Sequence, residues 1–190
     1  NAGSRITYSQ GFGVGNRKIE LIGEGYFEVK RNEEVPFLVK TNSLLVKVLG
    51  TKFNFRDYPD DAEAIVSLSE GKVALNNLLK KEKEAFLLPN ERVVLNKKNG
   101  RMHVEYSTVS NALQWTNGYL FFDEELLPDV VKELERSYNV KIQIASDTLN
   151  TFRFYGNFVH REQNIQEVLE ALSATRKIHY IIEGHNITLY

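Results

Sequence analysis

The chain has no cysteine, which excludes disulfides, thiolate metal sites and a cysteine nucleophile. It has no apolar run near the roughly 20 residues that cross a bilayer, and no signal peptide. Asn1 and Ala2 read as the remnant of a tag, and the chain as a piece of a longer protein whose targeting or membrane segments lie elsewhere. An excess of either charge is also missing. With 24 Lys+Arg against 25 Asp+Glu, nothing draws the chain as a whole toward nucleic acid or an anionic membrane. Histidines are few: His103, His160, His179 and His185, no two at the i, i+4 spacing of a zinc pair. They read as ordinary strand and loop residues.

What is present is a protein with core to spare. Of 190 residues, 42% are hydrophobic and 26% charged, a balance that folds rather than staying disordered. Residues 1–105 carry a small positive excess and residues 106–190 a net of -4, which fits two units with different surfaces. The first half alternates with period two: Ile19 and Leu21, Phe27 and Val29, Leu44 to Val48, Ala64 to Leu68, Val73 and Leu75, Val93 and Leu95, Met102 and Val104. Turn signals separate the runs, at Gly23 to Gly25, Arg31 to Glu34, Tyr58 to Asp61, Glu70-Gly71, Pro89-Asn90 and Asn99-Gly100. Glu70-Gly71 and Asn99-Gly100 suit tight hairpins. Lys80 to Glu84 reads as a solvated hairpin tip. The expectation for residues 1–105 is an all-β domain, a sandwich or β-roll of short strands.

Residues 106–117 read as a linker or short helix, and residues 118–190 as a small α+β domain. The spacing of Leu127, Val130, Val131, Leu134 and Tyr138 predicts a helix from Leu126 to Tyr138, with Lys132, Glu133, Glu135 and Arg136 facing water and Asn139 as a left-handed stop. Ile165, Val168, Leu169 and Leu172 predict a second helix to about Arg176, capped by Asn164 with Glu167 at capping-box spacing. Strands flank both: Gly118 to Phe122, Lys141 to Ile144, Phe152 to Phe158, Ile178 to Ile182 and Ile187 to Tyr190. The result is two strand–helix–strand units and an extra strand, with both helices on one face of a small sheet. Trp115, the single tryptophan, is expected to be buried at the start of this domain.

No catalytic or metal-binding constellation stands out, and no cofactor is implied. Gly11, Gly13 and Gly15 are followed by a strand pattern rather than a helix, unlike a phosphate loop. Asp57, Asp60 and Asp61 lack calcium-loop spacing, and Ser67 and Ser69 lack a nucleophile elbow. The sequon-like Asn186-Ile187-Thr188 is a triplet common by chance. Phe152, Phe154, Tyr155 and Phe158 pack a core or form a binding face. Ile187, Leu189 and Tyr190 could be an edge strand open to a partner strand, and so could Phe152 to Phe158.

Three stretches together resemble a known family. One is Leu21, Gly23 to Val29, then Pro36, Phe37 and Val39. Another is Val46, Val48 to Thr51, Phe53 and Asn54, followed by Leu68, Glu70 to Val73 and Leu88 to Glu91. The last is Trp115, Gly118, Phe121, Leu134 to Arg136 and Tyr138. They resemble the periplasmic region of FecR-type regulators, the ferric citrate sensor and anti-sigma family. Gly25 stands where that family often has Ala or Val. The C-terminal half is similar to the domain that follows in Bacteroidetes members, and in pattern to the short N-terminal domains of secretins and TonB-dependent transducers.

The resemblance implies a non-enzymatic periplasmic domain of a single-pass inner-membrane protein. Its partner would be the signalling domain of a TonB-dependent outer-membrane transporter. A sigma factor would be bound through a cytoplasmic segment absent from this chain, the membrane reached only through an absent transmembrane helix, and nucleic acid not bound at all. The competing reading is a carbohydrate- or small-ligand-binding module, which needs exposed aromatics lining a groove.

Overall fold

The structure is a computed structural model, and it describes residues 1–107, 109–174 and 176–190. Thr108, within the expected linker, and Thr175, within the expected second helix, lie outside the described residues. The chain divides into two compact units, Asn1–Leu113 and Gln114–Tyr190.

Among the described residues the first unit is built from ten strands: β1 (Arg5–Tyr8), β2 (Lys18–Glu28), β3 (Phe37–Lys40), β4 (Leu44–Val48), β5 (Lys52–Asp57), β6 (Glu63–Glu70), β7 (Val73–Asn77), β8 (Ala85–Leu87), β9 (Glu91–Asn96) and β10 (Met102–Tyr106). They form one sheet in the order β10-β9-β6-β5-β2-β3-β4-β7-β8, with β1 added on β2. The short turns show that this sheet curls into a near-barrel. In a flat sheet β6 and β7 would lie five strand spacings apart, roughly 24 Å. The three Cα steps from Glu70 to Val73 reach only about 11 Å. The sheet must therefore fold over and bring its two halves face to face. Its inward residues, among them Leu21, Val39, Val46, Phe53, Phe55, Val66, Leu75 and Leu95, form one buried cluster.

Two turn signals act differently from the sequence expectation. Gly23 to Gly25 does not separate two strands. It lies inside the 11-residue β2, which pairs with β1 and β3 through residues 18–22 and with β5 through residues 23–28. Gly23, at φ +101°, sits where the pairing changes, and a Cβ there would lie 2.4 Å from Ser4 Oγ. A bend that crowded takes glycine alone. Glu70-Gly71 is not a hairpin either, because it carries the chain from β6 in one half of the sheet to β7 in the other. Asn99-Gly100 does join an antiparallel pair, β9 and β10.

Asn1 and Ala2, set aside in the sequence as a tag remnant, make hydrogen bonds within this fold. Asn1 Nδ2 donates to Glu24 Oε2 at 2.8 Å, and Tyr58 donates its hydroxyl proton to the Ala2 carbonyl at 2.7 Å.

The second unit follows a short helix, α1 (Val109–Ala112), and opens with a 3-10 turn at Gln114–Asn117. It continues with β11 (Tyr119–Leu126), α2 (Leu127–Tyr138), β12 (Lys141–Ile144), a 3-10 turn at Asp147–Thr151, β13 (Arg153–Val159), α3 (Ile165–Ser173), β14 (Tyr180–Glu183) and β15 (Asn186–Leu189). Asn139 ends α2 at φ 52°, and its N–H donates to the Glu135 carbonyl. The capping box of α3 is complete in both directions.

Where one small sheet was expected there are, among the described residues, two: β11 with β13, and β12-β15-β14. One buried cluster takes side chains from both sheets and both helices, including Phe122, Leu134, Ile142, Phe154, Phe158, Leu169 and Ile187. Two expectations for side chains are corrected. Trp115 is half-buried rather than buried. Glu133 is buried rather than facing water, and its Oε2 lies 3.2 Å from Arg136 Nη2; the pairing at i, i+3 lets both charges leave water together.

Candidate partner-binding surface

The structure separates the seven residues singled out in the sequence. Phe154 and Phe158 are buried, their rings 6.2 Å apart and nearly parallel, and Phe122 packs against both. Gly156, between them on the same face of β13, explains the arrangement. A Cβ there would lie 2.6 Å from a Phe154 ring carbon and 2.7 Å from one of Phe158, so the absence of a side chain lets the rings close over the backbone. Phe152 packs at the margin of the same core. Tyr155, one residue out of phase, is 59% exposed. A hydrogen bond to the Glu124 carboxylate raises its hydroxyl pKa above the ordinary phenol value. Of this group, only Tyr155 offers a largely exposed side chain.

Ile187 and Leu189 are buried, while Tyr190 is exposed at the chain end. The edge-strand reading of residues 187–190 does not hold. β15 is the central strand, parallel to β12 on one side and antiparallel to β14 on the other. Both rows of its backbone groups are already used. The parallel pairing of β12 with β15 brings together strands more than 40 residues apart, which no local pattern announces.

The open edges belong to other strands. Within the described residues β14 pairs with β15 alone. Its apolar residues are unusually exposed for a strand in a small domain, Ile181 at 50% and Ile182 at 40%. The hydrogen-bond phase of this edge follows from the pair just before it. His179 N–H donates to the Tyr190 carbonyl at 2.9 Å, and Tyr190 N–H donates back at 3.0 Å. In an antiparallel ladder, bonded and non-bonded pairs alternate. Ile181 opposite Thr188 therefore bonds inward, and Tyr180 and Ile182 turn their N–H and C=O groups to the open side. This edge has two outward-facing backbone positions, with apolar side chains above and below. Sequence reasoning placed 178–182 as a strand but not as an edge, because strand order is a tertiary property.

The motif residues of the resemblance have structural roles. Asn54 Nδ2 donates to Glu24 Oε1 at 2.7 Å, and both residues are buried, so the first two stretches meet in one hydrogen bond. A Cβ on Gly50 would lie 2.6 Å from Arg31 Cα, and one on Gly71 2.7 Å from the Gly50 carbonyl oxygen, so three chain segments cross at backbone distance. In the third stretch, Glu135 accepts from Ile142 N–H at 2.9 Å and Tyr138 donates to the Gln163 carbonyl at 3.1 Å. The histidines are dispersed: His160 Nε2 is 2.8 Å from the Ser137 carbonyl, and His103 is 3.6 Å from Glu105. Among the described residues no group of three or more acidic or imidazole side chains is placed to hold a metal ion, and no helix is long and apolar enough to cross a membrane.

Comparison with known proteins follows the division into units. The family described as FecR protein matches residues 1–74, and that described as FecR, C-terminal, matches residues 119–189. Two crystal structures of a candidate anti-sigma factor from Parabacteroides distasonis ATCC 8503 are similar along the whole chain. Each is 33% identical and covers 100% of this chain and 87% of the other, with TM-scores of 0.89 and 0.88. No curated protein matches the sequence.

Proposed function

The chain belongs to the FecR family of anti-sigma regulators, and from that premise we propose that it is the periplasmic part of a membrane-spanning regulator, acting by binding other proteins. It relays the state of a TonB-dependent outer-membrane transporter, read through that transporter's signalling domain. The output is control of an extracytoplasmic-function sigma factor, through a cytoplasmic segment outside this chain.

The observation that carries the reading is the β14 edge. A partner strand laid along it would bond to Tyr180 and Ile182 and cover Ile181 and Ile182. Tyr155 belongs to the other sheet and is a secondary candidate.

Titrating the chain with the signalling domain of a cognate transporter, followed by calorimetry, tests this. Saturable binding with Ile181 and Ile182 amides shifting in NMR spectra is expected. Absence of binding, or shifts confined to residues 1–113, would count against it. Binding of a glycan in place of the signalling domain would support the ligand-binding module instead.

A further inference from the structure

We propose that the two hairpin tips at one end of the first unit form a docking site for an anionic lipid bilayer. The first tip, residues 78–84, joins β7 to β8. The second, residues 97–101, joins β9 to β10. Asn77 ties them together: its Nδ2 donates to the Gly100 carbonyl at 3.0 Å and to Glu82 Oε2 at 3.1 Å. Its Oδ1 accepts from Leu79 N–H at 2.9 Å and Lys80 N–H at 3.1 Å, which fixes the turn. Leu78 N–H donates to the Ser43 carbonyl at 2.9 Å. The aliphatic stem of Lys80 lies over Gly100, where a Cβ would come within 3.0 Å of it.

This turn holds two consecutive leucines in the open, Leu78 at 43% and Leu79 at 44% exposure. A soluble hairpin tip gains nothing from that. Lys80, Lys81 and Lys83 follow them in the same tip and Lys98 and Arg101 lie on the adjoining one, all exposed, against the carboxylates of Glu82 and Glu84. Lys97 is left out of this set because it lies 2.7 Å from the buried Asp57.

Exposed aliphatic side chains in one tip with exposed cationic ones on both tips match a bilayer interface. The leucines enter the acyl boundary, and the lysine stems snorkel toward lipid phosphates. The chain's net charge of -1 hides this site, because the charge is local. The inference is independent of the partner edge on the second unit.

The test is co-sedimentation of the full chain with phosphatidylcholine vesicles, with and without about one third phosphatidylglycerol. Binding to the anionic vesicles at least about tenfold tighter than to the neutral ones, and weakening as salt rises, is expected. Leu78→Ser with Leu79→Ser should abolish most of it, as should Lys80→Glu with Lys81→Glu, with melting unchanged in both. Should the serine variant misfold, Leu79→Trp in a Trp115→Phe background supplies a second reading: its emission should shift to the blue when anionic vesicles are added. No binding at low salt, binding indifferent to both leucines, or an unshifted Trp emission would overturn the proposal. So would equal binding to heparin that does not depend on the leucines, which would identify a polyanion site.

Discussion

Asn54 donates to a carboxylate that is almost wholly removed from water, that of Glu24, and Asn1 donates to its other oxygen. Burying a charge is costly unless donors surround it, and removing one donor leaves that cost exposed. Asn54→Ala should therefore destabilise the first unit by about 1–3 kcal/mol in urea unfolding, despite deleting few atoms. A loss within experimental error would show that water replaces the amide. Tyr138 makes the matching point in the second unit. Burial, with the Glu167 carboxylate adding in the same sense, raises its hydroxyl pKa above the ordinary phenol value. The folded state thus holds this proton more tightly than the unfolded chain. The stabilisation is complete below the unfolded pKa of about 10 and is lost as pH rises through the folded one. The stability difference between the wild type and Tyr138→Phe should be constant at neutral pH and shrink above about pH 10. A difference that stays flat to higher pH would remove Tyr138 from the alkaline response.

At the scale of elements, β14 and β15 look alike in sequence, and only their neighbours distinguish them. Each is four residues long, flanks the same Gly184 turn and contains isoleucine. Partners on both sides bury Ile187 and Leu189, while β14 keeps one side open. The hydrogen-bond phase gives a paired prediction. Ile182→Pro removes an outward donor and should leave the fold intact while weakening binding of the signalling domain by about tenfold or more. Ile181→Pro removes an inward donor and should cost about 3 kcal/mol or more of stability. Circular dichroism and calorimetry on the two variants decide it. Equal partner affinity for Ile182→Pro and the wild type would exclude strand addition at this edge. Ile187→Pro is no test of binding, because it would break the central strand of the sheet.

For the molecule as a whole, the two hydrophobic cores share no residue, and the stretch between them is short and polar. No Lys or Arg lies between Arg101 and Lys132, so trypsin cannot cut there. It should cut first at Lys80, Lys81 and Lys83. Chymotrypsin should cut after the exposed Tyr106 and release two resistant pieces. Early chymotryptic cuts inside α2 instead would contradict the division into two units.

Much of this organisation was legible beforehand. Period-two alternation marked the inward faces of β4, β6, β7 and β9, and helical spacing marked α2 and α3 with their caps, because side-chain direction follows from backbone period alone. The seven candidate binding residues were legible as strand residues, but not as core or surface. Gly156 was the signal available for the Phe154–Phe158 pair, since a glycine between two aromatics on one strand face lets their rings meet.

The sequence by itself determined the local elements and the family likeness, both of which depend on neighbours in the chain. Only the tertiary structure decided that β2 bends at Gly23 to serve both halves of the barrel, that the Glu70-Gly71 turn crosses between them, and that β15 is central while β14 is an edge. It also decided that a lysine-rich tip lies against a second basic tip. These depend on which strands meet across tens of residues, and strand pairing is set by the burial of a shared core, not by the pattern of any one segment.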